Sequence, residues 1–178
     1  GQTVSPDGQR LVTLATGDVS PSPKVELRIW SLPELRPMTD GRPVEDMAPQ
    51  IVGDRTMTAA NSMRISRDSR WVLVVTNQGK QVYELATGAK VGAYAATGFG
   101  IGLFAPGGHR FSSMVPGGVQ LFATTTGEPA TPPMKYGGTL WSIEFSESGN
   151  VLLTTSSDGF ARLWDTATGR LLAEPTLQ

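Results

Sequence analysis

The sequence has 178 residues, of which 15 are Lys or Arg and 16 are Asp or Glu, so its formal net charge is −1. This balance excludes the strongly basic surface with which proteins bind nucleic acids, and no apolar run of about 18 residues is present that would span a membrane. Without Cys and with a single His, the chain lacks the residues for a disulfide or a Cys-based metal site. We therefore predict no metal, no cofactor, no nucleic acid and no membrane partner.

Turn-forming clusters divide the chain into short segments. They are "SPDG" (5–8), "APGG" (105–108), "VPGG" (115–118) and "SSDG" (156–159). Pro presets φ for the first corner of a turn and Gly accepts a positive φ after it, so such clusters favour tight reversals. β-branched residues fill the segments between the turns, and no apolar period of 3.6 residues is sustained. We predict an all-β fold without a helix longer than one turn.

The first unit of the chain begins with "SPDGQRLVTLATG" (5–17) and continues with "VELRIWSLPEL" (25–35), in which Trp30 ends the apolar run. A turn, a β-rich run and a second β-rich run closed by an aromatic residue predict consecutive antiparallel strands. Two further segments, 16–24 and 37–55, interrupt this pattern with Pro, Asp and Gly. We interpret both segments as loop insertions.

The same order of elements returns three times. The turn-and-strand segments are 66–79, 105–118 and 146–159, and the segments that follow them are 81–88, 119–127 and 161–169. Each following segment ends its apolar run on an aromatic residue, at Tyr83, Phe122 and Trp164. These aromatic residues are 39 and 42 positions apart, whereas the enlarged first unit gives a gap of 53. A period of about 40 residues with about four strands per unit is the signature of propeller blades.

The fourth unit carries the most specific motif. Trp164-Asp165, preceded by "SSDGFARL", resembles the repeat of the WD-repeat β-propeller family, as do "FSESG" and "VSPDG". The resemblance implies a β-propeller of four-stranded antiparallel blades, with four blades at about 1–50, 51–95, 96–136 and 137–178. The Gly-His pair that usually precedes the innermost strand in the family is missing from every blade. The endings "ELATGA", "TTTGE" and "TATGR" look like those of bacterial members.

Most of the prominent side chains are interpreted as framework. Asp158, like Asp7 and Asp68, lies beside Gly, Ser or Pro in an equivalent turn, where an Asp side chain caps the local backbone. His109 follows a Gly-Gly turn and is expected at the surface. The aromatic residues are expected in the core between sheets, with a stacking site for a ligand as the alternative: Trp30, Tyr83, Phe122 and Trp164. Four polar residues precede them by two positions and are expected to pack their stems between blades, with a ligand site as the alternative: Arg28, Gln81, Gln120 and Arg162.

Trp141 is the main candidate for binding. The innermost strand of the fourth blade is predicted over 140–145, and counting back from Ile65, Phe104 and Phe145 places Asn61, Gly100 and Trp141 in corresponding positions. The resemblance implies that these positions lie at the rim of the central channel, which in the family commonly receives proteins or peptides. Trp is favoured at binding hot spots. The alternative is that Trp141 folds down onto its own blade.

These features predict a protein- or peptide-binding scaffold that uses blade loops and the channel rim. Asn, Gly and Trp supply no convergent reactive groups, so we predict no catalytic residue and no enzyme. Two alternatives stay open. One is an architectural or sensor module of a larger protein, such as a kinase or an exported protein. The other is a propeller that binds a small ligand or hydrolyses it.

The number of blades raises the question of ring closure. Four WD-like blades alone would expose the flat apolar faces of the first and last sheets, which favours association. One expectation is that the chain is a slice of a propeller of about seven or eight blades. The other is that two copies form a homodimer that closes an eight-bladed ring with two-fold symmetry. Because the chain begins without Met and its first strand looks cut, we favour the slice.

Overall fold

The computed structural model of the chain describes residues 1–16, 25–44, 50–52, 55–57, 63–76, 79–94 and 102–175. Four antiparallel sheets, numbered 1 to 4 in chain order, and one separate hairpin contain the strands. Within these ranges there is no helix, and hence none long and apolar enough to cross a membrane. The predictions of an all-β fold and of four antiparallel blades are confirmed.

The strands are short and follow the turn pattern of the sequence. Sheet 1 contains β1 (Gln2–Val4), β2 (Arg10–Thr16), β3 (Val25–Ser31), β4 (Arg36–Pro37) and β5 (Arg42–Pro43), and the separate hairpin contains β6 (Gln50–Val52) and β7 (Arg55–Met57). Sheet 2 contains β8 (Met63–Ile65), β9 (Trp71–Thr76), β10 (Gly79–Glu84) and β11 (Lys90–Tyr94). Sheet 3 contains β12 (Arg110–Val115), β13 (Gly118–Ala123) and β14 (Met134–Lys135). Sheet 4 contains β15 (Leu140–Phe145), β16 (Val151–Ser156), β17 (Ala161–Asp165) and β18 (Leu171–Ala173).

The interpretation of 37–55 as a loop insertion is wrong in part. β4 and β5 both pair with β3, through Trp30 with Pro37 and Glu26 with Pro43, and so form an interrupted outer strand of sheet 1. Proline is tolerated there because an edge strand needs no second ladder of backbone donors. The hairpin of β6 and β7 follows within the same segment. The other expected insertion, 16–24, lies outside the described residues apart from Thr16, the last residue of β2.

Each sheet carries one row of residues that lie directly across from one another, one from each of four consecutive segments. We call it the aromatic row, because its third member is the aromatic residue of the repeat. The four rows are Val4, Leu11, Trp30 and Pro37; Ile65, Val72, Tyr83 and Lys90; Phe104, Phe111, Phe122 and Pro129; and Phe145, Leu152, Trp164 and Leu171.

The reverse face of each sheet carries a second pair of residues, which we call the reverse pair. Successive side chains of a strand point to opposite faces, so this pair lies one position away from the two central members of the aromatic row. The reverse pairs are Val12 and Ile29, Leu73 and Val82, Ser112 and Leu121, and Leu153 and Leu163. Every sheet thus has an aromatic row on one face and a reverse pair on the other.

The chain divides into two compact units, Gly1–Ala95 with sheets 1 and 2 and Ala96–Gln178 with sheets 3 and 4. In the first unit, Val72 and Tyr83 of sheet 2 share a buried cluster with the reverse pair of sheet 1, Val12 and Ile29. Full burial of such a side chain contributes about 1.5–3 kcal/mol.

The second unit repeats this arrangement. Leu152 and Trp164 of sheet 4 share a buried cluster with Leu121, which belongs to the reverse pair of sheet 3, and with Val119 on the same strand. In each unit, therefore, an aromatic row packs against the reverse face of the preceding sheet.

Candidate partner-binding surface around Trp141

Trp141 lies on β15, the first strand of sheet 4, and the predicted span of this strand, 140–145, is confirmed. The pairing of β15 with β16 runs from Leu140 opposite Ser156 to Ser142 opposite Thr155, so Trp141 is the extra residue of a β-bulge. Bulges change the direction of a side chain at a sheet edge. Trp141 is 60% exposed, so its indole lies largely in solvent rather than on its own sheet.

The loop before Trp141 is fastened to the turn between β16 and β17. The backbone N–H of Gly137 donates to Asp158 Oδ2 at 2.9 Å, and that of Thr139 donates to Ser157 Oγ at 2.8 Å. The Ser157 N–H in turn donates to the Thr139 carbonyl at 2.9 Å. A Cβ atom added at Gly137 would lie 2.7 Å from Asp158 Oδ2, so this close approach requires glycine. Three hydrogen bonds thus fix the segment that leads into the bulge.

Arg162 extends this set of contacts beneath the turn. Its guanidinium lies 2.7 Å from Asp158 Oδ2 and 2.6 Å from Glu174 Oε1, and it donates to Ser156 Oγ at 3.1 Å. Because Arg162 is only 8% exposed, its positive charge is balanced by the carboxylates of Asp158 and Glu174 rather than solvated by water. The guanidinium also lies 5.2 Å from the centre of the Phe160 ring.

Asp158 is held ionised by these neighbours. The Arg162 guanidinium and then the Ser156 hydroxyl, which donates at 2.6 Å, hold the pKa of the Asp158 carboxyl well below its usual range. Asp158 also accepts the Phe160 N–H at 3.2 Å, which closes the turn. Gly159 follows with a φ of 85°, a conformation that glycine adopts without strain. The carboxylate therefore links the turn, Arg162 and the loop before Trp141.

The aromatic residues of the repeat take part in packing and in short hydrogen bonds. The indole N–H of Trp164 donates to Thr154 Oγ1 at 2.9 Å, and that of Trp30 donates to Thr13 Oγ1 at 3.0 Å. Tyr83 donates to Gln81 Oε1 at 2.5 Å. Phe122 needs no such partner and stacks on Phe111 at a centroid distance of 5.7 Å.

Asp165 closes a turn at the other end of β17. It accepts from both the backbone N–H and the hydroxyl of Thr168 at 2.7 Å, and these bonds lower the pKa of the Asp165 carboxyl. The second residue of the Trp-Asp motif thus has a local partner in a turn.

The polar residues that precede the aromatic residues differ from sheet to sheet. Arg28 is exposed and pairs with Glu26 at 3.0 Å, whereas Gln81 is buried. Gln120 donates to the Thr131 carbonyl at 2.6 Å. His109 is exposed in its turn, as expected.

Asn61 and Gly100, the other two expected rim residues, lie outside the described residues, so their correspondence with Trp141 stays a prediction. The structure adds Ser157 and Glu174, which the sequence did not single out. Glu174 reaches Arg162 because Ala173, its neighbour, pairs with Leu163 across two strands, and no local motif indicates that pairing. Among the described residues, no group of three or more His, Cys, Asp or Glu could hold a metal ion.

Comparison with known proteins places this surface in a recognised repeat. A family model described as "WD domain, G-beta repeat" (WD40) matches residues 132–165, which include Trp141, Asp158 and the Trp164-Asp165 motif. No curated protein sequence matches the chain.

Many solved structures match the chain, and the crystal structure of the C-terminal WD40 domain of Sif2 is one of them. It is 16% identical in sequence, with a TM-score of 0.69 over 99% of this chain and 45% of the other. The chain thus spans less than half of that chain's length, and at this identity the likeness concerns the fold alone. Residues 132–165 are thus similar to a WD40 repeat, and the chain has the fold of a WD-repeat β-propeller.

Proposed function

We propose that the chain is a scaffold that binds another protein or a peptide, and that Trp141 is the centre of the contact. WD40 propellers generally serve as protein-interaction scaffolds, which supports the general part of the proposal. The specific part rests on one observation: a tryptophan that is 60% exposed at a bulge on the first strand of sheet 4, within the residues that the family model matches.

An exposed indole is well suited to this role. Inserting it into an apolar pocket of a partner removes a large apolar surface from water, while its N–H keeps the capacity to donate a hydrogen bond. Binding also costs free energy when loops must be ordered. The bonds from Gly137 and Thr139 to the turn at 157–158 fix the approach to Trp141 before any partner arrives, so this cost is reduced.

The proposal treats the chain as non-catalytic. A single His and the absence of Cys in the sequence leave few groups for nucleophilic or acid–base chemistry, and the Asp158 and Arg162 side chains are already engaged with each other. A sensor module of a larger protein and a propeller that binds or hydrolyses a small ligand are the rival functions. Neither rival function predicts that a peptide binds at Trp141, so the experiment that follows distinguishes them from the proposal.

The test uses a library of random peptides displayed on phage and selected on the immobilised chain. Enriched peptides are synthesised and titrated by calorimetry against the wild type, Trp141→Ala and the control Met38→Ala, which removes another exposed apolar side chain. We expect Trp141→Ala to weaken binding about tenfold or more, the usual effect at a hot spot, and Met38→Ala to change it little.

Thermal unfolding followed by circular dichroism separates binding from folding. Because Trp141 is largely in solvent, its replacement by Ala is expected to leave the melting temperature nearly unchanged. Equal peptide affinity of Trp141→Ala and the wild type would overturn the proposed site. Unfolding of the variant at room temperature would show that Trp141 belongs to the fold, and failure to enrich any peptide would count against peptide binding.

A further inference from the structure

Aspartate is followed directly by glycine at three places in the sequence: Asp7-Gly8, Asp40-Gly41 and Asp158-Gly159. At such a pair the backbone nitrogen of the glycine can attack Cγ of the aspartate and close a five-membered succinimide ring, because glycine has no side chain to obstruct the approach. The reaction requires a carboxyl group and a backbone N–H that other groups do not already hold. The three pairs differ in this respect.

At Asp7 and Gly8 both reacting groups are engaged. The Gly8 N–H donates to the Ser5 carbonyl at 2.8 Å, and the Asp7 carboxylate accepts the Ser5 hydroxyl and, at 3.0 Å, the Gln9 N–H. The Ser5 hydroxyl is the main cause that lowers the pKa of the Asp7 carboxyl. Because attack at Cγ expels the hydroxyl of a protonated carboxyl as water, a lower pKa also reduces the reactive fraction.

At Asp158 and Gly159 the same groups are held by more partners. The Gly159 N–H donates to the Ser156 carbonyl at 3.1 Å. The Asp158 carboxylate binds the Arg162 guanidinium at 2.7 Å and the Gly137 N–H at 2.9 Å, and Arg162 holds the pKa of this carboxyl well below its usual range. Turning the carboxylate toward the Gly159 nitrogen would break these contacts.

The Asp40 carboxylate is free by comparison. Asp40 and Gly41 lie at the break between β4 and β5, the two parts of the outer strand of sheet 1. Asp40 is exposed, and its side chain is one of those in the described part of the chain that have neither a hydrogen bond nor an ion pair. Nothing in the fold therefore keeps this carboxyl group away from the nitrogen of the next residue.

The register of sheet 1 also leaves the Gly41 N–H without a partner on β3. The Val44 N–H donates to the Val25 carbonyl at 2.8 Å, which makes these two residues a hydrogen-bonded pair. Along an antiparallel ladder, hydrogen-bonded and non-hydrogen-bonded pairs alternate. Counting back from Val44 past Arg42, which lies opposite Leu27, places Gly41 at a non-hydrogen-bonded position. Its N–H thus points away from β3, the one strand with which β5 pairs among the described strands.

We propose that Asp40-Gly41 is a site of spontaneous isoaspartate formation in the folded chain. The Gly41 nitrogen forms a bond to Asp40 Cγ and loses its proton, while the C–O bond of the protonated carboxyl breaks and one water molecule leaves. Water then opens the succinimide, and opening at the α-carbonyl leaves the main chain running through the former side-chain carboxyl. The mass of the chain is unchanged, and no oxidant or reductant is needed. The site does not involve Trp141, so it is independent of the proposed function.

The test ages the purified chain at neutral pH, well below its unfolding temperature, and maps its peptides by electron-transfer dissociation. This method distinguishes isoaspartate from aspartate at a given position. We expect several-fold more isoaspartate at Asp40 than at Asp7 or Asp158. Similar amounts at the three positions of the folded chain would overturn the proposal, as would the absence of isoaspartate at Asp40.

Ageing in guanidinium chloride separates the effect of the fold from that of the local sequence. Unfolding removes the hydrogen bonds at Asp7 and Asp158, so the three positions are expected to form isoaspartate at similar rates. A preference for Asp40 that persists unchanged in the unfolded chain would overturn the proposal, because the neighbouring residues rather than the fold would then select the site.

The consequence for sheet 1 is measured by hydrogen exchange. Isoaspartate adds one methylene to the main chain between β4 and β5, so the Arg42 and Val44 amides, which bond to β3, should exchange faster in the aged chain. Asp40→Glu is the matched control, because it keeps the charge but its longer side chain cannot close a five-membered ring. Exchange at these amides is expected to stay unchanged in the aged variant. Equal exchange in the aged wild type and the aged variant would contradict the effect on β5.

Discussion

The most unusual single residue in the described part of the chain is Lys80, whose side chain is fully buried in β10. It lies opposite Val75 on one neighbouring strand and Tyr94 on the other. Removal from water disfavours the charged ammonium group and lowers the pKa of Lys80 from 10.5 to about 8. Because the unfolded chain keeps the higher pKa, this residue links folding to pH.

We predict that the chain becomes more stable as the pH rises above about 8. Between the folded pKa of about 8 and the unfolded pKa of 10.5, the unfolded state binds more protons, so the free energy of unfolding increases with pH. The full shift corresponds to about 3 kcal/mol, of which part is gained by pH 9.5. Urea unfolding between pH 7 and 9.5 measures the slope.

The matched pair of variants for this measurement is Lys80→Met and Lys135→Met, because Lys135 is exposed on β14. In Lys80→Met the free energy of unfolding is expected no longer to increase with pH, whereas in Lys135→Met it is expected to increase as in the wild type. A wild-type stability that is flat or falling over this range would contradict the burial of a titrating Lys80.

At the scale of elements, the turn between β16 and β17 does more than reverse the chain. The sequence indicates a turn at Asp158, but the structure also shows that its carboxylate accepts the Gly137 N–H from the loop before β15. Asp158 therefore stabilises its own turn and also holds the loop at Gly137, 21 positions away in the sequence.

We predict that Asp158→Asn loosens this loop. The substitution removes the charge that pairs with Arg162 and weakens the acceptor of the Gly137 N–H, so the Gly137 and Thr139 amides should exchange with deuterium faster. Asp165→Asn is the control, because Asp165 bonds only to the turn at the opposite end of β17 in the hydrogen bonds described here. Unchanged exchange at Gly137 in Asp158→Asn would show that the bond does not hold the loop.

Local patterns predict some elements well and others poorly. Turn clusters and alternating β-branched residues are encoded within a few positions, so β15 could be located over 140–145 from the sequence. β4 and β5 were missed because two-residue strands that contain proline show no alternation. The bulge at Trp141 and the ion pair of Arg162 with Glu174 depend on how strands pair, which a local pattern does not determine. The resemblance to bacterial members stays a prediction.

At the scale of the whole molecule, the repeated packing of sheets makes adjacent residues on one strand contribute unequally to stability. Leu152 and Leu153 are adjacent on β16 but belong to opposite faces of sheet 4. Leu152 is fully buried in the cluster with Trp164, whereas Leu153 lies on the open reverse face.

We predict that Leu152→Ala costs about 2–5 kcal/mol of unfolding free energy in dilute solution and that Leu153→Ala costs clearly less. The difference arises because only Leu152 leaves a cavity in a closed cluster. Chemical denaturation of both variants at micromolar concentration provides the comparison. Equal losses would mean that the reverse face of sheet 4 is covered even in the isolated chain.

The two-faced construction of every sheet has a consequence for how such a gene can change. Since each sheet offers an aromatic row on one side and a reverse pair on the other, an in-frame tandem duplication of about 40 residues would insert a sheet with the same two faces. The inserted sheet would pack its aromatic row against the reverse face of the sheet before it, as the existing sheets do within each unit, so no new kind of contact would be needed. Blade number can then drift by whole copies, while individual side chains diverge as far as Trp30, Tyr83, Phe122 and Trp164 have done at a single position of the repeat.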